Sequence, residues 1–242
     1  MTSQAVILAG GFGTRLGTLT HTQPKSMMPV GDKPFLEWLL RLLIGQGIKN
    51  FVFCIGYRAG QIQEYFQEGR KWNIRIDYSI EDPPLGTGGA LKRAAPLLQE
   101  TFLVLNGDNY LELNYQDFIS TFLSQPSAIG MLTCWRNQPP RFRSNVSLAK
   151  DGRVIASYDY HNSTHKDYVD CGIKIFSRQV LSFFDDRESF SLEVDTLPKI
   201  VKQEKLLAYI VAHPPLDIGT PDSLVQAQSI LLKKELPLGK SS

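Results

Sequence analysis

Short apolar runs alternate along the first 135 residues with longer segments in which apolar side chains recur at helical spacing. Residues 4–9 (QAVILA) and 102–105 (FLVL) are almost wholly apolar, which is typical of strands buried on both faces of a sheet. Residues 34–46 place leucines and a phenylalanine on one broad helical face, with Pro34 suited to its first turn and Gly47 to its end. This alternation predicts βαβ units around a parallel sheet. The other elements predicted in this half are strands at residues 51–55, 75–80 and 128–135 and helices at residues 60–67, 87–98 and 115–123.

The pattern changes after Trp135. Residues 145–149 and 154–158 are predicted as two short strands, because KDG at residues 150–152 is a strong turn signal between them. The further elements predicted here are strands at residues 168–176 and 207–212 and helices at residues 192–203 and 221–234. We therefore predict one domain over residues 1–238, with a larger part at 1–135, a smaller mixed part at 136–238 and a tail at 239–242.

Composition and charge narrow the class of protein. Of the 242 residues, 43% are hydrophobic and 21% are charged, as in ordinary globular proteins. The formal net charge is +2 without a block of like charges, so we expect no nucleic-acid partner. Cys54, Cys134 and Cys171 lie far apart in apolar runs, which favours a reducing, cytoplasmic location over disulfides or zinc.

The sequence has no signal-peptide pattern and no apolar run of the roughly 20 residues that a membrane span needs, so no membrane partner is expected. A homo-oligomer is compatible with the sequence.

The segment LAGGFGTRL (residues 8–16) follows the first predicted strand. Its three glycines allow positive φ angles and bring backbone N–H groups close to an anion, while Arg15 offers a planar fork for phosphate oxygens. The segment lacks the GK(S/T) of a Walker loop, and Leu16 occupies the third glycine position of the dinucleotide fingerprint. These residues predict a phosphate-binding loop; a tight turn with a surface arginine is the alternative.

Two further stretches, PKSMMPV (residues 24–30) and KPF (residues 33–35), follow the glycine-rich segment. Together the three resemble the signature of the sugar-1-phosphate nucleotidyltransferases, and similar segments continue to DIG at residues 217–219. The resemblance implies a Rossmann-like, glycosyltransferase-A-like α/β fold, with a mostly parallel sheet flanked by helices. It assigns Arg15 to the leaving pyrophosphate and Lys25 to the phosphates near the reacting centre, with a solvated loop lysine as the alternative for Lys25. The contacts that it implies for the nucleotide are Leu8, Ala9, Gly10, Gly11, Gly13 and Thr14.

Two aspartates are candidates for metal binding. Asp108 follows the apolar strand at residues 102–105, and ligands of open parallel sheets gather beyond such carboxyl ends. Asp217 stands just before the last predicted helix. Two carboxylates with substrate phosphates and waters are a typical shell for Mg²⁺, and the resemblance assigns both aspartates to this ion. The alternatives are a loop acid at Asp108 and an acceptor for backbone N–H groups at Asp217.

The implied reaction needs no catalytic base. A sugar 1-phosphate carries nearly two negative charges at neutral pH, because the second pKa of a phosphomonoester is about 6. It is already a nucleophile, and none of the four histidines lies in a triad-like context. We predict in-line attack on the α-phosphorus of a nucleoside triphosphate, with charge neutralised by Mg²⁺, Arg15 and Lys25 and with Asp108 in the catalytic set.

The segment EDPPLGTGGA (residues 81–90) resembles the nucleoside-binding segment of the family, with Gly86 and Thr87 near the base and ribose. Many uridylyl and thymidylyl members have Gln where this chain has Glu81. A carboxylate only accepts hydrogen bonds and guanine presents two adjacent donors, so Glu81 favours GTP over UTP or dTTP. A solvated acid at the strand end is the alternative. The whole pattern is most similar to the heptose 1-phosphate and mannose 1-phosphate guanylyltransferases.

The sugar side departs from the family pattern. Members often have an acid followed by lysine, whereas here Asp159 is followed by Tyr160. The sugar phosphate needs a different cation, for which Arg143, Lys166 and Lys174 are unranked candidates. The residues expected to face the sugar phosphate are Asn145, Asp159, Asp170 and Gly172, with core packing or hairpin structure as the alternative.

Two other functions fit parts of the sequence. A nucleotide-sensing relative could keep the fold without the reaction, but it would not need both metal carboxylates. An NAD-type oxidoreductase is disfavoured because the dinucleotide fingerprint fails.

Overall fold

The computed structural model describes residues 4–13, 16–17, 20–138, 142–161 and 166–234. The strands are β1 (Gln4–Leu8), β2 (Pro29–Val30), β3 (Lys33–Pro34), β4 (Asn50–Ile55), β5 (Arg75–Ile80), β6 (Thr101–Asn106), β7 (Asn109–Tyr110), β8 (Gly130–Arg136), β9 (Val146–Leu148), β10 (Ile155–Tyr158), β11 (Tyr168–Ser177), β12 (Leu206–Val211) and β13 (Leu216–Asp217). The α-helices are α1 (Phe35–Gly45), α2 (Ala59–Phe66), α3 (Gly86–Ala94), α4 (Tyr115–Leu123), α5 (Leu197–Val201) and α6 (Pro221–Leu231).

The main sheet runs through both halves of the chain. Strands β6, β1, β4 and β5 are neighbours in that order and are parallel. On the other side of β6 lies β11, which is antiparallel to it and also pairs with β8, and β8 pairs in parallel with β12. The predicted α/β class, a mostly parallel sheet flanked by helices, is confirmed. Leu8 lies between Cys54 and Asn106 in the register, so the carboxyl ends of three parallel strands meet at one edge.

Side chains of the central strands alternate between two apolar cores. On β4, Phe51 and Phe53 point into one core, while Val52 and Cys54 point into the other. Helices α1, α4 and α6 contribute to the first core, and α3 and α5 to the second. Burial on both faces explains why these strands are continuous apolar runs in the sequence. Within the described residues, no helix combines the length and the apolar character that crossing a membrane requires.

Two local features shape the edge where the strands end. Strand β7 pairs with β13, placing Asn109 beside Asp217. The register of β11 against β8 shifts between Asp170 and Lys174. Asp170 lies opposite Cys134 and Lys174 lies opposite Leu132, so a step of four residues on β11 spans a step of only two residues on β8. Gly172 has a φ of +81° within this bulge. The sequence pattern predicts neither the two-residue ladder nor the bulge.

The segment after β11 also differs from the prediction. A helix is predicted over residues 192–203, whereas the structure has a π turn at Leu192–Thr196 followed by α5, which ends at Val201. The side chain of Ser191 caps this turn by accepting from the Val194 N–H at 3.2 Å.

Candidate active site

A cavity of about 580 Å³ opens at the edge where the carboxyl ends of β1 and β6 meet. It draws residues from both halves of the chain. The sequence-predicted residues that line it are Leu8, Ala9, Gly10, Gly11, Gly13, Lys25, Glu81, Gly86, Thr87, Asp108, Asn145, Asp170, Gly172 and Asp217. Thr14 and Arg15, which the sequence also assigns to the nucleotide phosphates, lie outside the described residues.

The glycine-rich loop is anchored by backbone hydrogen bonds at its start. The Ala9 N–H donates to the Cys54 carbonyl at 2.8 Å, and the Tyr57 N–H donates to the Gly10 carbonyl at 3.3 Å. Gly13 has a φ of +64°, and a Cβ there would lie 2.9 Å from the Cβ of Lys25. Glycine at this position therefore allows the loop to pass close to Lys25, beside the cavity.

Lys25 and Asp108 form an ion pair within the cavity. The Lys25 Nζ lies 2.5 Å from the Asp108 Oδ2, and the Lys25 side chain is only 11% exposed. Lys25 opens a short 3₁₀ turn after Pro24, and Asp108 follows β6 through Gly107, whose N–H donates to the Leu8 carbonyl at 2.8 Å. The burial of Lys25 is inconsistent with a solvated loop lysine.

The pairing of β7 with β13 brings Asp217 close to Asp108. The Ile218 N–H donates to the Asp108 carbonyl at 3.2 Å. The Asp217 Oδ1 accepts from the Gly219 N–H and, at 3.2 Å, from the Ser223 hydroxyl. Helix α6 itself is capped by Thr220 in a reciprocal pair with Ser223. Asp217 therefore does accept from the backbone, as its alternative role predicts, but within the described part of the chain these hydrogen bonds involve only its Oδ1.

The residues at this edge fit a magnesium ion by the chemistry of their donors. Asp108, in the turn between β6 and β7, and Asp217, on β13, offer hard carboxylate oxygens, and both residues line the cavity. Within the described ranges, no third Asp, Glu, His or Cys groups with them. Mg²⁺ commonly completes its shell with waters and substrate phosphates, which the neighbouring cavity could admit.

Glu81 lies at the end of β5 and is only 6% exposed. Its Oε2 accepts from the Leu85 N–H at 2.8 Å, and a Cβ at Gly10 would lie 2.5 Å from its Oε1. Burial raises the pKa of Glu81, although the hydrogen bond from Leu85 opposes the shift. A buried carboxylate that accepts a backbone hydrogen bond and lines a cavity is unlike a solvated strand-end acid.

Gly86 and Thr87 begin α3 at the same wall of the cavity. Gly86 has a φ of +72°, and a Cβ there would lie 2.6 Å from the Phe190 carbonyl oxygen. The Thr87 hydroxyl donates to the Glu193 Oε2 at 2.5 Å and accepts from the Leu192 N–H at 2.9 Å. Thr87 therefore links α3 to the π turn as well as lining the cavity.

Asn145 and Asp170 face the cavity from the second half of the chain. The Asp170 N–H donates to the Asn145 Oδ1 at 2.8 Å, and the Gly172 N–H donates to the Asp170 Oδ1 at 2.9 Å. A Cβ at Gly172 would lie 2.3 Å from the Asn109 Nδ2, so glycine allows β11 to approach β7 closely. Three of the four residues predicted to face the sugar phosphate thus meet at one wall.

Asp159, the fourth, is not among the residues that line the cavity. Its Oδ1 accepts from the His161 N–H at 2.9 Å, a local turn. Tyr160 does line the cavity, at the position where the family resemblance leads one to expect lysine. The acid therefore lies in the turn that presents Tyr160.

The structure separates the three candidate cations. Lys174 is 1% exposed and lines the main cavity. Arg143 and Lys166 instead line an adjoining hollow of about 400 Å³, which shares Phe142 with the main cavity.

Glu193 lines the cavity too, and the sequence does not single it out. Lys174 lies between it and Asp170. Burial disfavours the charged form of Lys174, but the two carboxylates outweigh that effect and raise its pKa. Burial likewise opposes ionisation of Glu193, yet Lys174 and the Thr87 hydroxyl lower its pKa below the ordinary value. Both groups are therefore held in their charged forms. One signal in the sequence indicates that an acid such as Glu193 must lie nearby: Lys174 interrupts an apolar strand, and a charged lysine buried there needs a counter-ion.

A cavity at the carboxyl edge of a parallel sheet, with a glycine loop beside a lysine and two aspartates, places the chain among α/β enzymes that process nucleotides. A family model described as nucleotidyl transferase matches residues 4–234. The D-glycero-alpha-D-manno-heptose 1-phosphate guanylyltransferase of Campylobacter jejuni is 34% identical, over 90% of this chain and 96% of that protein. The protein of the same name from Aneurinibacillus thermoaerophilus is 32% identical, over 94% of this chain and 98% of that protein.

The chain belongs to the nucleotidyl transferase family. A solved structure of HddC from Yersinia pseudotuberculosis, complexed with GMP-PN, matches with a TM-score of 0.76 at 28% identity, covering 94% of this chain and 99% of that one. The resemblance to sugar-1-phosphate nucleotidyltransferases is thereby confirmed, and with it the class of enzyme.

Proposed function

We propose that the chain transfers GMP from GTP to a heptose- or mannose-type sugar 1-phosphate, giving a GDP-sugar and pyrophosphate. The observation that carries this proposal is the buried carboxylate of Glu81 in the same cavity as Lys25, Asp108 and Asp217. The names of the two guanylyltransferase relatives and the GMP-PN in the HddC structure support the same nucleotide.

The chemistry is a displacement at phosphorus. An oxygen of the sugar phosphate forms a bond to the α-phosphorus as the bond from that phosphorus to the bridging oxygen of the leaving pyrophosphate breaks. The nucleophile is already anionic, so no side chain has to remove a proton. The task of the protein is to align the two anions and neutralise their charge.

Individual residues of this chain are proposed for each part of this alignment and charge neutralisation. Lys25 exchanges its contact with Asp108 for phosphate oxygens, and N–H groups of the glycine loop bind the triphosphate. Arg15 is proposed for the leaving pyrophosphate. Asp108 and Asp217 are proposed to hold Mg²⁺, which supplies charge neutralisation and orientation of the phosphates when bound.

The base is proposed to be guanine because Glu81 only accepts hydrogen bonds. Its Oε2 is occupied by the Leu85 N–H, which leaves Oε1 to accept from the adjacent N1–H and N2–H of guanine. Uracil and thymine each offer one N–H and place carbonyl oxygens beside it, so a carboxylate suits them less.

Pyrophosphate release, measured for GTP, UTP and dTTP against mannose, glucose and heptose 1-phosphates with Mg²⁺, tests the proposal. We expect kcat/KM for GTP to exceed that for UTP and dTTP at least tenfold. A preference for UTP or dTTP would show that the nucleotide assignment is wrong. A folded protein that binds GTP but releases no pyrophosphate with any sugar phosphate would instead be a nucleotide-sensing relative.

A further inference from the structure

Three buried charged side chains form a cluster at the sugar side of the cavity, which we call the Lys174 cluster: Lys174, Asp170 and Glu193. The Lys174 Nζ lies 3.1 Å from the Asp170 Oδ2 and 3.5 Å from the Glu193 Oε1. The side chains are 2%, 4% and 11% exposed. Charges at such depth persist only when they are paired. Within the cluster two carboxylates face one ammonium group, so one negative charge is left over.

Hydrogen bonds fix the orientation of both carboxylates. The Tyr158 hydroxyl donates to the Asp170 Oδ2 at 2.9 Å, and the Gly172 N–H donates to its Oδ1. The Glu193 Oε2 accepts from Thr87 at 2.5 Å and from Ser191 at 3.2 Å. These donors come from four separate segments of the chain, so the carboxylates are held from several directions.

The bulge in β11 makes the cluster. In a straight strand, the Cα atoms of residues four apart are separated by about 13 Å, too far for a lysine and an aspartate to meet easily. The register shift between Asp170 and Lys174 shortens this span, since the two residues lie opposite positions only two apart on β8. The bulge thus brings Lys174 next to Asp170 on the same strand.

The charge balance of the Lys174 cluster indicates what it can bind. The ammonium group of Lys174 is already shared by two carboxylates, so an approaching phosphate dianion would be repelled by the excess negative charge. Ring hydroxyls are hydrogen-bond donors and would find fixed acceptors. The cluster therefore suits the hydroxyl side of a sugar, and it does not supply the cation for the sugar phosphate.

We propose that Lys174 is a positioning residue, which keeps Asp170 and Glu193 ionised and in place so that they accept hydrogen bonds from the ring hydroxyls of an uncharged sugar. The inference rests on the proposed function, and it adds a substrate class: sugar 1-phosphates with free hydroxyls and without a carboxylate on the ring. Hexuronic acid 1-phosphates, which carry such a carboxylate, are disfavoured by repulsion from the cluster.

Lys174→Met tests the positioning role, because it keeps an unbranched side chain only one atom shorter and removes the charge. Without the counter-ion, the two buried carboxylates take up a proton or turn away from each other. We expect the KM for the sugar 1-phosphate to rise at least tenfold while the KM for GTP changes less than threefold. The matched control is Arg41→Met, which removes the cation of a buried ion pair with Glu37 (2.6 Å) away from the cavity. That variant is expected to lose stability and to keep both KM values within twofold.

The outcomes separate the two levels of the proposal. A wild-type protein without turnover on any substrate pair overturns the proposed function and this inference with it. With an active wild type, a sugar KM in Lys174→Met within threefold of normal, or an equal rise in both KM values, overturns the positioning role alone. If Lys174→Met does not fold, Asp170→Asn carries the same expected split between the two KM values, because the side chain of Asp170 contacts Tyr158, Gly172 and Lys174 and none of these is assigned to the nucleotide. A hexuronic acid 1-phosphate is expected to be used at least tenfold less efficiently than the matching hexose 1-phosphate, and equal use would contradict the substrate class.

Discussion

Replacing Glu81 with Gln is expected to lower kcat/KM for GTP. The Oε2 of Glu81 accepts from the buried Leu85 N–H, and Oε1 lies close to Gly10, which lines the cavity. An amide offers only one acceptor oxygen. If that oxygen stays on the Leu85 N–H, the amide NH₂ meets the donor edge of guanine. If the amide turns around, the Leu85 N–H is left without an acceptor.

The magnitude follows from the loss of at least one hydrogen bond in either orientation. A hydrogen bond to a charged group contributes about 1.5–3 kcal/mol. At 25 °C this corresponds to a fall of about 10- to 150-fold in kcat/KM. For UTP the same change replaces an unsuitable carboxylate with a group that can both donate and accept, so its kcat/KM is expected to fall less or to rise.

The assay is pyrophosphate release with GTP and UTP at a fixed sugar 1-phosphate concentration. Asp82→Asn is the matched control, because it neutralises the exposed neighbour of Glu81 and is expected to change kcat/KM less than twofold. Urea unfolding of each variant shows whether the fold is retained. A folded Glu81→Gln protein with normal kcat/KM for GTP would refute the assignment of Glu81 to guanine.

The pH dependence provides a second test of Glu81. Burial raises the pKa of this carboxyl, and its protonated form no longer accepts two hydrogen bonds. Use of GTP is therefore expected to be full above the raised pKa and to be lost as the pH falls through it. Glu81→Gln should lack this acidic limb in the profile of kcat/KM for GTP, with the profile for the sugar phosphate measured in parallel. An unchanged limb would assign the titration to another group.

Three further substitutions test the rest of the site. Asp108→Asn is expected to lower kcat about 100-fold or more with the urea midpoint little changed, and near-normal turnover would remove Asp108 from the metal and catalytic set. Gly10→Ala places a Cβ 2.5 Å from the Glu81 Oε1, so the KM for GTP should rise about tenfold as that carboxylate is displaced; an unchanged KM would contradict the packing. Gly172→Ala forces a residue with a Cβ into a φ of +81° and against the Asn109 side chain, which should cost about 1–2 kcal/mol in urea unfolding, whereas an unchanged stability would mean that the bulge relaxes freely.

The meeting of the glycine-rich loop, Lys25 and Asp108 at one edge of the sheet could be predicted from the sequence because its geometry is local. The glycine loop follows a buried strand directly, and Asp108 follows another strand that is its parallel neighbour. Parallel strands end at a common edge, so strand ends that are far apart in sequence meet there without further information. The burial of Lys25 follows from the position of the short 3₁₀ turn, which begins at Lys25, beside that edge of the sheet.

The other metal candidate depends on a contact that sequence periodicity does not contain. Asp217 reaches Asp108 through a ladder of two residues, β7 with β13, which is too short to leave an alternating pattern. Its placement could be inferred only from the family resemblance. The same holds for the link between α3 and the π turn, where a threonine and a glutamate far apart in sequence share a hydrogen bond.

The Lys174 cluster shows most clearly why ion pairs cannot be predicted from the order of residues in the sequence. The charge of Lys174 in an apolar strand requires counter-ions, but the sequence does not say which acids supply them. A straight strand would hold Asp170 out of reach; the bulge at Gly172 brings it to 3.1 Å, and a turn about twenty residues later adds Glu193. On the proposal made above, both acids satisfy the charge of Lys174, so it does not also serve a phosphate dianion. We therefore expect that Lys174 does not replace the lysine that the family pattern leads one to expect at Tyr160, and that the cation for the sugar phosphate comes from a different part of the chain.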